Sequence, residues 1–300
     1  MHAREAAAAS ARVMAAVRAR VARGELAAAE QELLAHLRTW REDARALHAL
    51  AGILIETGRE PVAVRVMETL LALEPLEPQH YLTLAALLDA NGRRTELLPL
   101  YERMCAALPA HATAHFNRAC ALRSSGRDDE ALAAHHRALA LGIERPEECW
   151  SNIAAIHADL HRDADARAAL EQALAANPHW APARYNLGLW LEEHGQREAA
   201  IGEFRTVLGI DPHWHDARVR IAWLRRCERV DDPLLQEMRA ALQTQGIHPL
   251  TRESLQFAIG KSLEDCGAYE DAFAAFAAGN RESRARVRSY DRAATETLFR

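Results

Sequence analysis

One position recurs along this chain at intervals of 34, 34, 34, 35, 34 and 34 residues. The residues at that position are Gly24, Gly58, Gly92, Gly126, His161, Gly195 and Arg229. A fixed period of this length indicates stacked helical hairpins, because it accommodates two helices and their turns. Each hairpin contacts only its neighbours, so such a chain grows by stacking. One elongated array is therefore predicted, although 300 residues would otherwise suggest about two globular domains.

The clearest unit is 181–214, which reads APARYNLGLWLEEHGQREAAIGEFRTVLGIDPHW. In this unit Gly188 and Ala200 are small enough to let two helices approach closely, and Phe204 supplies an apolar face. Five signature positions are occupied by Leu187, Gly188, Ala200, Phe204 and Pro212. The unit resembles the tetratricopeptide repeat. The resemblance implies an all-α fold, a right-handed superhelical solenoid of antiparallel helical hairpins.

The register of the repeat divides the chain into four predicted segments. Six units occupy 1–214, and the first of them is expected to be a cap because polar residues replace apolar signature residues there. A degenerate helical hairpin is predicted for 215–250, where Asp232 and Pro233 form a helix-start signal. A final repeat-like unit follows at 251–280, and a basic linker helix at 281–300.

Charge and cysteine usage exclude several classes of protein. The formal net charge is -5 and the pI about 6.3, whereas general nucleic-acid binders usually carry a basic surface. The five cysteines are widely spaced without a CxxC pair, which favours free thiols in a reducing compartment. The sequence shows neither a signal peptide nor 18 consecutive apolar residues. We therefore expect a cytoplasmic protein that binds neither nucleic acid nor membrane.

The sixth position of the repeat unit carries asparagine in three successive units. These residues are Asn117, Asn152 and Asn186, and the fifth position beside them holds Phe116, Ser151 and Tyr185. In the tetratricopeptide family this face lines the concave groove, and the pattern resembles the asparagine ladder of O-linked N-acetylglucosamine transferase. Amides donate and accept, so they can pair with an extended peptide of any sequence. Alternatively, asparagine is simply common in the repeat consensus.

Two tryptophans could add apolar contacts to that groove. Trp190 and Trp223 are the candidates, although the position of Trp190 also fits the hydrophobic core. Histidine offers a different chemistry, since His157 and His161 stand four residues apart with Asp165 nearby. His161 occupies the inter-helix turn position and Ala158 replaces the glutamate of HEXXH zinc sites, so no metal site is predicted.

A second resemblance covers 257–292, FAIGKSLEDCGAYEDAFAAFAAGNRESRARVRSYDR. This segment resembles the junction that precedes the catalytic domain in bacterial sulfotransferases with an N-terminal tetratricopeptide array. The matching residues are Phe257, Ala258, Gly260, Lys261, Asp265, Gly267, Tyr269, Ala272, Phe273, Gly279, Asn280, Tyr290 and Asp291, while Ile259 replaces a leucine. The resemblance implies a downstream domain that uses phosphoadenosine phosphosulfate (PAPS).

The 300 residues contain no phosphosulfate loop resembling R-S-G-T-[ST], no GxSxG and no P-loop. We therefore predict no catalytic residue and no cofactor site in this chain. An arginine cluster could meet a phosphate or an acidic partner, or could lie on a solvated linker helix; its members are Arg281, Arg284, Arg286, Arg288 and Arg292.

These patterns predict a scaffold that binds a protein or an extended peptide in its concave groove. Two interpretations stay open. The scaffold is either the partner-recruiting region of a PAPS-dependent sulfotransferase or a stand-alone adaptor of a multiprotein complex.

Overall fold

The computed structural model describes residues 2–286, and all regular secondary structure in that range is helical. The chain divides into two compact units, Met1–Cys149 and Trp150–Arg300. The first contains α1 (His2–Val21), α2 (Leu26–Thr39), α3 (Ala44–Glu56), α4 (Glu60–Leu73), α5 (Pro78–Ala90), α6 (Leu97–Ala107), α7 (Ala112–Ser124) and α8 (Asp128–Ala140). The predicted all-α class is confirmed for the described residues.

The second unit begins within α9 (Pro146–Asp159). It continues with α10 (Asp163–Ala176), α11 (Ala181–Glu193), α12 (Arg197–Ile210), α13 (His215–Leu224), α14 (Pro233–Leu242), α15 (Pro249–Asp265) and α16 (Tyr269–Arg286). Most consecutive helices are joined by three to five residues and pair as hairpins. The predicted residues Arg288, Tyr290, Asp291 and Arg292 lie outside the described range.

The hairpin of α11 and α12 depends on the absence of a side chain at Gly188. A Cβ placed there would lie 2.6 Å from Cε1 of Phe204, which is fully buried. The same arrangement recurs between α15 and α16, where a Cβ on Gly260 would lie 2.7 Å from the ring of Phe276. In both hairpins the aromatic ring occupies the space that the missing side chain leaves.

The turns between paired helices use the left-handed backbone region. Gly195 has φ 71°, a conformation that costs glycine little. His161 stands at the equivalent place with φ 55°, and among residues 2–286 it is the one non-glycine residue with positive φ. Its N–H donates to the carbonyl of Ala158 (2.9 Å), as in the glycine turns. The turn predicted for His161 is therefore confirmed.

Proline positions agree with helix starts. Pro99 lies in the first turn of α6, which begins at Leu97 after a short 3₁₀ turn at Arg94–Glu96. There the missing N–H breaks no helical hydrogen bond. Pro233 begins α14 after Asp232, whose side chain accepts from the N–H of Leu234 (2.9 Å).

The link 225–232 between α13 and α14 is fixed by the only lysine of the sequence. Lys261 Nζ donates to the carbonyl oxygens of Ala222 (3.0 Å) and Arg225 (2.6 Å) and to Asp265 Oδ2 (2.6 Å). The ammonium thus satisfies carbonyls that the end of α13 leaves without helical partners. Burial acts to raise the pKa of Asp265, but the hydrogen bonds from Lys261 and from the N–H of Cys227 outweigh it and the pKa is lowered.

We expect Gly188→Ala to lower the free energy of unfolding by about 1–3 kcal/mol, because the new Cβ overlaps the buried Phe204 ring. Gly202→Ala is the matched control within the same hairpin, since a Cβ there meets nothing within 4 Å. It should stabilise by about 0.5–1 kcal/mol through helix propensity. Urea unfolding measures both, and equal effects of the two substitutions would contradict the packing argument.

Candidate functional site

A cleft in the second unit lies between α9 and α11. Its volume is about 170 Å³, close to the size of one side chain. Small residues of α9 and α10 leave this space open, and the residues that line it are Ala154, Ala155, Ala158, Asp159, Ala166, Leu170, Asn186, Leu189, Trp190 and Glu193. The floor is therefore mostly alanine and leucine, with polar groups at the edge. Such a combination is typical of sites that take an apolar group and orient it by a few hydrogen bonds.

Trp190 forms one wall of the cleft and is held from several sides. Its ring stacks on His194 with centroids 3.8 Å apart, and the Arg167 guanidinium lies 4.9 Å from the ring centroid. Its Nε1–H donates to the carbonyl of Asp163 (3.2 Å). Trp190 also packs against the core around Phe204, so it has the core position considered for it and lines the cleft as well. A wall fixed in advance lowers the entropy cost of binding.

The three predicted asparagines are distributed over both units. Asn186 lines the cleft, and Asn152 stands on α9 two residues before the cleft residue Ala154. Asn117 lies on α7 in the first unit and is half-buried. Of the three asparagines of the predicted ladder, Asn186 therefore lines the cleft.

The fifth-position residues pack within their own hairpins. Phe116 meets the ring of His135 edge-on at 5.6 Å. Tyr185 lies 5.5 Å from the ring of Phe204 and 5.4 Å from that of Trp214. Burial raises the pKa of Tyr185, which agrees with this packed position. The aromatic rings of Phe116 and Tyr185, which were predicted to line the groove, are therefore largely engaged in packing within the protein.

The turns that end the fifth and sixth repeats share a set of tryptophan and arginine contacts that the sequence analysis did not predict. Trp180 Nε1 donates to Ser151 Oγ (2.9 Å). One period later, Trp214 and Tyr185 occupy the equivalent positions and their rings are in contact. In the first of these turns, Arg184 Nε donates to the carbonyl of Pro178 (2.7 Å). The sequence Pro-His-Trp occurs in both turns, and an arginine follows each tryptophan by four residues. This pattern could have predicted the contacts.

The face of α13 adds one exposed aromatic and one ion pair beside the cleft helices. Trp223, which was considered as a source of apolar contacts in the groove, is 51% exposed, as that role requires. Arg220 stands at the position that carries asparagine in the preceding units, and its Nη1 lies 3.4 Å from Glu192 Oε1 on α11. The asparagine pattern therefore ends at α13 and a charged pair replaces it.

Other cavities lie in the first unit, with volumes of about 720, 710 and 440 Å³. The smallest of these three is bordered by Arg18, Arg45, His48 and His80, with the two histidine rings 5.9 Å apart. Within residues 2–286, no group of three or more His, Cys, Asp or Glu side chains is placed to hold a metal ion. No helix of the described range is long and apolar enough to cross a membrane.

A comparison with family models matches residues 160–245 to one described as "Tetratricopeptide repeat". This segment is therefore similar to the tetratricopeptide repeat family. It includes α11, which carries Asn186 and Trp190 of the cleft. The repeats predicted from the 34-residue period are thus confirmed for this part of the chain. No curated protein matches the sequence.

Solved structures share the fold at low sequence identity. The APC/C hetero-tetramer Cut9-Hcn1 gives a TM-score of 0.57 at 14% identity, covering 96% of this chain and 55% of that one. A tetratricopeptide repeat protein from Parabacteroides merdae gives 0.54 at 15% identity, over 85% and 96%. Pseudomonas aeruginosa pilF gives 0.52 at 19%, over 65% and 87%. These likenesses concern the fold alone, and the sulfotransferase-like junction stays a prediction.

His135, beside Phe116, should make the first unit sensitive to acid. Burial, with smaller contributions from Arg123 and His136, lowers its pKa from 6.5 to about 4. The neutral ring is accommodated fully above pH 6.5, and stability is lost as the pH falls from 6.5 towards about 4. We expect His135→Leu to remove about 2 kcal/mol of the stability loss between pH 7 and 5. The neighbouring exposed His136→Gln should leave that loss nearly unchanged in urea unfolding at each pH.

Proposed function

We propose that this chain is a scaffold that binds an extended segment of a partner protein, with the cleft between α9 and α11 holding one apolar side chain of that segment. The observation that carries this proposal is the prearranged wall of Trp190 over an alanine floor, with the Asn186 amide at its edge. An amide that donates and accepts suits a peptide backbone, and the small floor suits a side chain.

Magnitudes limit the affinity that this arrangement can give. One buried apolar side chain contributes about 1.5–3 kcal/mol, and each amide pair contributes about 1 kcal/mol net. Ordering a flexible peptide opposes both. Because a micromolar complex requires about 8 kcal/mol, the partner must also contact neighbouring surfaces, such as the exposed ring of Trp223. Micromolar or weaker binding is therefore proposed.

Blocking the cleft tests this function without removing a polar group. A displayed library of random linear peptides is selected on the whole chain, and the dissociation constant of the best peptide is measured by fluorescence anisotropy. Ala158→Leu places a larger side chain in the cleft and should weaken binding by about ten-fold or more. Ala175→Leu, exposed on α10 and away from the cleft-lining set, is the matched control and should bind normally.

The asparagine hypothesis has its own measurement on the same peptide. Replacing Asn117, Asn152 and Asn186 together with alanine should weaken binding about ten- to a thousand-fold, since each lost pair costs about 0.5–1.5 kcal/mol. The melting temperature should change little. If the melting temperature falls while affinity per folded molecule is kept, the asparagines only support helix packing. An empty library selection, or equal affinity of both alanine-to-leucine variants, would contradict peptide binding in this cleft.

A second candidate function follows from the segment 257–292. We propose that the scaffold recruits a substrate or partner for a linked PAPS-dependent sulfotransferase domain. Two matching residues on α16, Tyr269 and Phe273, are 71% and 75% exposed, which suits residues that meet another domain. The coding sequence beyond codon 300 tests this candidate: a loop resembling R-S-G-T-[ST] supports it, and a stop codon there contradicts it.

A further inference from the structure

Two of the five cysteines lie side by side in the second unit, where the link 225–232 passes the end of α15. Cys266 Sγ donates to the carbonyl oxygen of Cys227 (3.5 Å), and Cys227 Sγ donates to the carbonyl oxygen of Arg229 (3.3 Å). The N–H of Cys227 donates to Oδ2 of Asp265, the residue before Cys266 (3.0 Å). Residues 39 positions apart are therefore held side by side at both backbone and side chain.

Contacts of Lys261 and Asp265 hold the two cysteine backbones next to each other. Cys266 is the C-cap residue of α15, and Lys261 on the same helix holds the end of α13 through two carbonyl oxygens. Cys227 lies in the link 225–232, which Lys261 also holds through the Arg225 carbonyl, so the Cys227 backbone is kept beside Cys266. Rotation of the Cys227 side chain, which breaks its hydrogen bond to Arg229, would bring the two sulfur atoms into bonding geometry, which requires Cα atoms about 4.4–6.8 Å apart.

We propose that Cys227 and Cys266 form a modification site, a dithiol pair that a low-molecular-weight disulfide such as glutathione disulfide oxidises to an intramolecular disulfide. The half-exposed Cys266 reacts first, since Cys227 is only 3% exposed. Its thiolate attacks one sulfur of glutathione disulfide, forms a mixed disulfide and releases one glutathione thiolate. Cys227, deprotonated in turn, attacks Cys266 Sγ and releases the second glutathione. Two protein thiols lose two hydrogens, and one glutathione disulfide becomes two glutathiones.

Electrostatics make this oxidation slow at neutral pH. Burial, then the neighbouring Cys227 and the carboxylates of Asp265 and Asp232, raise the pKa of Cys266 to about 11. Lys261 pairs with Asp265 and Arg225 pairs with Asp232, so neither cation is directed to the thiol alone. Only the thiolate attacks a disulfide, so the initial rate should rise about ten-fold per pH unit between pH 7 and 9.

The cross-link would enclose α14 completely, because this helix lies between residues 227 and 266. A closed loop restricts the open states through which backbone amides exchange. Oxidation should therefore slow hydrogen exchange in Pro233–Leu242 and leave exchange in α1 and α2 unchanged. The disulfide would join the degenerate hairpin of α13 and α14 to the hairpin of α15 and α16.

Mass spectrometry of the native, full chain tests the proposal. The chain is incubated with glutathione disulfide at pH 8 and free thiols are alkylated. We expect a mass loss of ~2 Da before alkylation, and a Cys227–Cys266 linked peptide after digestion. Cys105→Ser should still form the link, because Cys105 lies near His115 in the first unit. Cys227→Ser or Cys266→Ser should abolish it.

Two results would overturn the proposal. One is a stable glutathione adduct on Cys266 that never resolves to the linked peptide. The other is a link that appears only in urea, which would mean that the folded chain keeps the sulfur atoms apart. Since the peptide map is made on the unsubstituted chain, a serine variant that fails to fold does not affect the decision.

Discussion

The close approach of two helices over a missing side chain determines the local architecture of this protein. Gly188 admits the ring of Phe204 where any Cβ would overlap it, and Gly260 admits Phe276 in the same way. Because interiors pack at crystal-like density, the ring and the glycine set the separation of the two helices together. The position of α11, and with it the wall formed by Trp190, follows from that separation. The cleft therefore depends on a contact between two residues that do not themselves line it.

Local signals in the sequence were sufficient for the hairpins. The 34-residue period, the glycine turns and the helix-start prolines each depend on a few neighbouring residues, so they could be predicted from the sequence alone. Even His161, which replaces a glycine in the period, has the φ of a turn residue, 55°. The cleft could not be predicted in this way. Its floor and wall come from residues of three helices, and only packing decides that the alanines leave space there.

The sulfotransferase-like segment shows how a motif can arise from packing. Gly260 accommodates Phe276, and a Cβ on Gly279 would lie 3.2 Å from the ring of Phe257. Lys261 satisfies carbonyls at the end of α13, a role that sequence comparison alone does not reveal. Several matching residues therefore have structural reasons to be present in any hairpin of this kind. The exposed Tyr269 and Phe273 have no such role in the core.

The tryptophan-containing turns have a consequence for how such a chain can change in length. Each turn is completed by residues within one period and by one arginine at the start of the next, as with Trp180, Pro178 and Arg184. A cut placed just before the turn and repeated 34 residues later would remove a segment whose two new ends carry matching partners. Deletion or duplication of this one period therefore retains a complete turn at the new junction.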